Sequence, residues 1–249
     1  MAPLRTAVIL AAGMGTRLGA TGKLQPKGFL RLGERSIIEE SLARLRFAGI
    51  ERVFVVTGHR SELYDALAKS SGDFVTTVHN PRYRESGSMY SLYLVRDLVD
   101  EDFLLLESDL IYEQRALTTA ISFARDNCLL LSGMTHSGDE VFVELQAGCL
   151  SHMSKNPAEL AEINGELVGI TKISPDLFSQ MLSTAEELFQ DDLKTDYETD
   201  CLVAAARRHP VYGCLVSDLV WAEIDDADHL ERAREHVYPR ILQGDGGAQ

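Results

Sequence analysis

The chain has 249 residues, 45% of them hydrophobic and 25% charged, with a formal net charge of -14. That size and apolar content suit one sizeable globular α/β domain, and no run reaches the roughly 18 to 20 unbroken apolar residues that a membrane span requires. The acidic balance argues against nucleic acid as a partner, since duplex binding needs a basic face, but permits a small anionic ligand held by local cations and a metal.

The opening run MAPLRTAVILAAG has no basic region and continues into glycines, so it reads as a strand and not a signal peptide. A cytoplasmic protein is therefore expected. Residues 6–12 form the first buried strand, and Ser36 to Phe47 a helix with Ile37, Leu42 and Leu45 on one face. RVFVVTG is a second strand, Ser61 to Ala68 a helix, FVTTVHN a third strand and PRYRESGS a loop. Met89 to Leu98 is helical, and DFLLLESD is a fourth strand ending in an acid. The alternation predicts a doubly wound, mostly parallel sheet, with ligands at the carboxyl ends of its strands. Beyond it, CLLLSGM, EVFVEL, CLSHMS and GELVGITKIS read as strands, with a turn at Ala147–Gly148. Helices are expected at Pro175 to Phe189 and Thr199 to Arg208, strands at VYGCLVS and VWAEID, and a closing helix at Ala227 to Tyr238. We expect one domain over 1–243, with a nucleotide-binding core in 1–127, an acceptor-binding extension and closing elements in 128–243, and a disordered tail in 244–249. Cys128, Cys149, Cys201 and Cys214 form no CxxC or CxH pair and read as ordinary core thiols; the histidines show no metal-ligand spacing.

The segment LAAGMGTRLGATGKLQPKGFL follows the first strand. It lacks the GxxxxGK[ST] pattern of a P-loop, and a lone GxG is weak evidence. The cations add more. Arg17 and Lys27 flank a loop with Lys23 between them, and suit phosphate oxygens. Leu10 lies near the end of the strand, and the small Ala11, Ala12 and Gly13 let a base and ribose approach the backbone. The N–H groups near Gly15 and Thr16 can form an anion-binding concavity. Ser88 follows Gly87 at a helix start, where exposed N–H groups suit base or acceptor recognition, although core packing explains the neighbouring Tyr90 equally well.

The run L-A-A-G-x-G-T-R-L with a later P-K resembles the signature of nucleoside-triphosphate transferases of the sugar-nucleotide and cytidylyltransferase type. The resemblance extends to Asp109 and the late WAEIDDADHLERA segment. It implies a Rossmann-like nucleotidyltransferase fold, with Lys27 and Arg17 as the catalytic cations on the phosphates and Asp109 and Asp225 as ligands of Mg2+. Magnesium takes hard oxygen ligands, and two carboxylates meet that need. Asp225 and Asp226 also offer a helix N-cap, and one of them is expected to serve as one. Glu107 either supports the ligands or faces outward.

The segments PKGFL, RESGSMYSLYLVRD, SGDEVFVEL, MSKNP and GELVGITKIS resemble those of cytidylyltransferases acting on 2-aminoethylphosphonate, with the phosphocholine enzymes next. That resemblance alone implies CTP as the nucleotide. PKGFL departs from the PKPLL of sugar-phosphate enzymes. A quaternary ammonium favours an aromatic cage, and this chain has a single tryptophan, Trp221. A primary ammonium wants acceptor oxygens, and DDLKTDYETD offers Asp196, Glu198 and Asp200 around Tyr197. Lys155 and Lys172 are candidates for the acceptor's phosphonate, and a loop with His136 and Ser137 is placed to cover the site. An inactive nucleotide-binding regulator would be expected to lack one of Arg17, Lys27, Asp109 and Asp225; all four are present. Nothing fixes the oligomeric state, and a homodimer is allowed.

Overall fold

The computed structural model describes residues 3–246; the side chains of Ala20, Thr21 and Lys23 fall outside that description, and with them the expectation for Lys23. Strands β1 (Thr6–Ala11), β2 (Arg52–Thr57), β3 (Val75–His79) and β4 (Phe103–Glu107) run parallel in the spatial order β3-β2-β1-β4. Successive side chains of a strand point to opposite faces, and here both faces are covered. Ala7, Ile9 and Ala11 of β1 enter one apolar core, while Val8 and Leu10 enter another. The first core is closed by helices α2 (Ile37–Phe47), α3 (Ser61–Ser71) and α5 (Gln114–Ser122), the second by α4 (Ser88–Tyr93) and α6 (Pro175–Leu188). Helix α2 starts at Ser36 with a reciprocal capping box to Glu39, which satisfies otherwise orphaned N–H groups.

The second half extends the same sheet. Strand β9 (Gly165–Ile173) lies antiparallel between β4 and β6 (Cys128–Ser132), and β10 (Tyr212–Val216) runs parallel to β6. Strands β7 (Phe142–Gln146) and β8 (Cys149–Ser154) form a hairpin whose turn places Ala147 and Gly148 at φ 51° and 80°. The hairpin pairs with β10 on one side and β9 on the other, so this end of the sheet curls into a ring. The architecture is a Rossmann-like, doubly wound mixed sheet, continuous across residue 127.

A separate two-stranded sheet joins β5 (Leu110–Tyr112) to β11 (Trp221–Glu223). It packs on helices α8 (Ala227–Arg232) and α9 (Tyr238–Gly246) through a third core that also takes Leu18 and Leu30, from either side of the short helix α1 (Gly19–Leu24). This small sheet brings the carboxyl-terminal region to the glycine-rich loop.

Several boundaries differ from expectation. The fourth strand stops at Glu107, because Leu110–Tyr112 leave the main sheet to pair with β11. Helix α4 ends at Tyr93, short of Leu98. The expected helix from Thr199 is a π-helical turn, Tyr197–Leu202, followed by α7 (Val203–Ala206). Residues 244–246 are not disordered: α9 continues through them, and the Asp245 carboxylate accepts from Gln114 N at 2.8 Å and pairs with Arg44. Residues 247–249 lie outside the described chain. Among the described residues the four cysteines are free, and no helix is long and apolar enough to cross a membrane.

Candidate active site

The carboxyl ends of β1 and β4 adjoin, with Leu10 paired to Glu107 and Ser108 N donating to Leu10 O at 3.1 Å. After β1 the chain turns sharply. Gly15 sits at φ 59°, ψ 33°, a left-handed conformation that suits glycine, and opens the single helical turn Thr16–Leu18 that carries Arg17. Pro26 then starts a second short turn, Lys27–Phe29. Gly28 is required there, because a Cβ would lie 2.8 Å from Tyr64 Oη and 3.1 Å from Ser108 O.

The acids arrive from β4 and β11. Glu223 pairs with Leu110, and Ile224 N donates to Asp109 O at 3.1 Å, so the ladder fixes Asp225 beside Asp109. Both aspartates are buried. Lys27 Nζ lies between them, 2.7 Å from Asp109 Oδ2 and 2.5 Å from Asp225 Oδ1. Arg17 reaches the same Asp225 oxygen at 2.8 Å. Burial opposes the Lys27 charge, but Asp109 and Asp225 outweigh it and hold the ammonium well above the usual lysine range. Asp226 is the N-cap of α8, with Oδ1 accepting from His229 N at 2.8 Å, which leaves Asp225 free to face inward.

These groups border a cleft of about 290 Å³ lined by Leu10, Ala11, Ala12, Gly13, Arg17, Lys27, Ser88 and Asp109, among others. Gly13 has open space where a side chain would be. Gly15 and Thr16 shape the turn without lining the cleft. Ser88 reaches the cleft, but its hydroxyl is engaged: it donates to Asp196 Oδ1 at 3.3 Å and accepts from Tyr197 N at 3.0 Å. Tyr90 packs against Phe189.

A smaller cavity of about 30 Å³ adjoins the cleft, sharing Glu107, Glu223 and Asp225 with it and adding Glu198, Glu166, Asp139 and Trp221. One carboxylate oxygen from each of Glu107, Asp109 and Glu223 lies within 4.8 Å of the others. Burial and the neighbouring Asp109 and Asp225 push Glu223 up to about 9, and burial with Glu198, Glu223 and Asp109 raises Glu107 well above the usual carboxylate range. The site thus holds more carboxyl groups than its own cations pair with, and burial favours the protonated form of Glu107 and Glu223.

Loop residues 133–141 bound this region. Thr135 is bonded through N and Oγ1 to buried Glu166, and Ser137 O lies 3.1 Å from His229 Nε2. Asp139, which carries no motif, takes Arg17 at 2.9 Å and Lys155 Nζ at 2.6 Å. Burial opposes its charge, and its hydrogen bonds, with Lys155 and Arg17 among the donors, hold it well below the usual range.

The expected acceptor residues separate into two groups. Lys155 and Glu198 lie at the site. Lys172 does not: it pairs with Leu104, at the start of β4 and away from the cleft, and its buried Nζ donates to the carbonyls of Arg125 at 3.0 Å and Phe123 at 3.3 Å. Tyr197 is fully buried, so it is not an exposed acceptor contact. Asp200 is exposed and spends Oδ2 on Asp196 N at 2.8 Å, while Asp196, just before the π-helical turn, accepts from Ser88 Oγ at 3.3 Å. Glu223, the last residue of β11, is a site residue that the sequence reading missed; its place two residues before Asp225 in the run VWAEID is a readable signal, since alternation in an extended segment puts the two on one face.

The profile of the MobA-like NTP transferase domain matches residues 7–160. The chain is 27% identical over 250 residues to the bifunctional IPC transferase and DIPP synthase of Thermococcus kodakarensis, covering 99% of this chain and 53% of that protein. It is 27% identical over 252 residues to the 2-aminoethylphosphonate cytidylyltransferase of Lancefieldella rimae, covering 95% and 94%. Among solved structures, the inositol-1-phosphate CTP transferase from T. maritima superposes with a TM-score of 0.82 at 22% identity, covering 97% of this chain and 98% of that one. The chain spans about half the length of the bifunctional relative. With the signature loop, the paired cations and the family profile in agreement, the chain belongs to the MobA-like NTP transferase family of nucleotidyltransferases.

Proposed function

We propose that the protein is a magnesium-dependent cytidylyltransferase that transfers CMP from CTP to 2-aminoethylphosphonate, giving CMP-2-aminoethylphosphonate and pyrophosphate. The observation that carries this reading is the Lys27 ammonium held between Asp109 and Asp225 beside Arg17, at the mouth of the Gly13–Gly15 turn. A cation between two buried carboxylates marks a place where a divalent ion fits, and the surplus of carboxylates around it favours a hard ion with oxygen ligands. Asp109 and Asp225 would hold the ion. When bound, magnesium supplies charge neutralisation on the triphosphate.

The remaining chemistry belongs to the chain. Leu10 to Gly13 offer backbone and open space to the nucleoside. Lys27 and Arg17 draw the triphosphate into line and offset charge developing on its oxygens. An acceptor phosphonate oxygen, already anionic near neutral pH, attacks the α-phosphorus; the bond to the β-phosphate oxygen breaks and pyrophosphate leaves. No general base is needed. Lys155, exposed and paired with Asp139, which also takes Arg17, is the acceptor's phosphonate partner. The domain division follows: residues 1–127 bind nucleotide, and 128–243 supply the acceptor side and Asp225.

Phosphocholine is the second reading. Trp221 lines the small acidic cavity, but Trp221 Nε1 is bonded to Ser132 Oγ at 2.8 Å and the cavity holds only about 30 Å³, which suits an ammonium better than a trimethylammonium. Pyrophosphate release over a matrix of nucleotides and acceptors tests the proposal. CTP with 2-aminoethylphosphonate is expected to give the highest kcat/KM. A higher value for phosphocholine or a sugar 1-phosphate overturns the acceptor, and CTP binding without product under any acceptor overturns the enzyme.

A further inference from the structure

Asp139 stands where the two halves of the site join. Its carboxylate oxygens are divided between cations from distant parts of the chain: Oδ2 accepts from Arg17 Nη1 at 2.9 Å, and Oδ1 from Lys155 Nζ at 2.6 Å. Arg17 lies in the turn after β1 and is also held by buried Asp225, through Nη2 at 2.8 Å. Lys155 directly follows β8 and, among the described residues, has no other carboxylate within ion-pairing distance. The Arg17 and Lys155 side chains are 57% and 58% exposed, so packing does not hold them, whereas Asp139 is 21% exposed. Two cations this close repel, and each long side chain gains rotamer freedom by swinging into solvent. The shared carboxylate opposes both tendencies.

The loop that carries Asp139 is itself pinned. Thr135 is bonded to Glu166 of β9, and its carbonyl accepts from Arg232 of α8 at 2.8 Å. Ser137 O meets His229 of the same helix. On either side of Ser137, His136 and Gly138 take φ 55° and 94°, and a non-glycine residue keeps such a φ only where its surroundings impose it. These anchors set the place of the Asp139 carboxylate independently of Arg17 and Lys155.

We propose that Asp139 is a positioning residue that moors Lys155 to Arg17, fixing the acceptor-binding cation beside the arginine that takes the triphosphate; this rests on the reading above of Lys155 as the phosphonate partner. Ion pairs run from Asp225 through Arg17 and Asp139 to Lys155. When Asp139 is neutralised, Arg17 keeps Asp225 and Lys155 keeps no carboxylate, so the loss falls on the acceptor side.

Asp139→Asn preserves shape but offers one acceptor oxygen and no charge. Lys155→Met is the partner variant and Asp139→Ala a second change in the loop; all are first checked for native melting. With 2-aminoethylphosphonate as acceptor, D139N is expected to raise its KM by roughly ten- to a hundredfold, the range for loss of a charged hydrogen-bonding partner. The kcat and the calorimetric Kd for CTP should stay within about threefold of wild type, because Arg17 keeps Asp225. The double variant D139N/K155M should be no worse than K155M alone, since Asp139 acts through Lys155. An unchanged acceptor KM, additive effects in the double variant, or an equal loss of CTP affinity overturns the proposal. A substrate-free readout separates it from the acceptor assignment. Partial burial opposes the Lys155 charge, and Asp139 outweighs it and holds the ammonium above the usual lysine range. The NMR resonance of Lys155 Cε, identified by its loss in K155M, should therefore titrate at lower pH in D139N. A titration that D139N leaves unmoved overturns the mooring whatever the turnover. A titration that moves, with no turnover of the phosphonate, upholds the mooring, and the acceptor assignment alone fails.

Discussion

Lys27→Ala removes the ammonium shared by Asp109 and Asp225, and its effects on stability and on rate are separable. In the free protein, the Lys27, Asp109 and Asp225 side chains are only 17%, 10% and 3% exposed, so the acids lose their shared partner in a poorly solvated place. Removing one partner of such a group costs about 3 to 5 kcal/mol. Arg17 still reaches Asp225, which puts the expected loss near the lower end, about 3 kcal/mol. For a chain of this size that corresponds to a fall of roughly 6 to 12 °C in Tm. Mg2+ should recover part of the fall, by replacing the ammonium between the two acids. Turnover should fall by roughly a hundred- to a thousandfold, as for loss of one preorganised group facing developing charge, and Mg2+ should not restore it. Melting with and without Mg2+, and pyrophosphate release from CTP with 2-aminoethylphosphonate, read the two effects. Turnover within threefold of wild type would refute the role given to Lys27.

Other consequences are open to direct measurement. Burial, with Asp196 and Asp109 adding to it, raises Glu198 to about 7. A raised carboxyl contributes stability that is fully present below its unfolded value, about 4.3, and lost as pH rises through the folded value. The Tm measured in chelator should therefore carry a component that falls between about pH 4.5 and pH 7, and E198Q should lack it; identical profiles would contradict the assignment. Lys172→Met should lower stability by about 1 to 3 kcal/mol, because the carbonyls of Phe123 and Arg125 lose their donor, while the acceptor KM stays the same. A raised KM at unchanged stability would return Lys172 to the site.

The nucleotide half was readable because its signals are local. A buried strand, a GxG turn and flanking cations place Arg17 and Lys27 without any long-range contact, and a strand-end acid such as Asp109 lands on the ligand-binding edge by topology alone. The acceptor half depends on tertiary packing. Lys172 looks like any lysine in an apolar strand, and only the antiparallel course of β9 shows that it emerges at the wrong end. In DDLKTDYETD the run of acids suggests an exposed face, yet the π-helical turn sends Tyr197 inward and brings Glu198 to the cavity. Asp139 has no motif, and its meeting with Arg17 spans a distance that no local pattern encodes. The glycine-rich end of α9 reads as disorder until Asp245 is seen bonded to Arg44 and Gln114.

The central claim is that Arg17, Lys27, Asp109 and Asp225 gather around one metal–polyphosphate complex. Crystals grown with CTP and Mn2+, measured at the manganese edge, test it most directly. The account predicts an anomalous peak bonded to Asp109 and Asp225, with the triphosphate between that peak and the side chains of Arg17 and Lys27. Manganese bound elsewhere, or a triphosphate lying away from the Gly13–Gly15 turn, would contradict it.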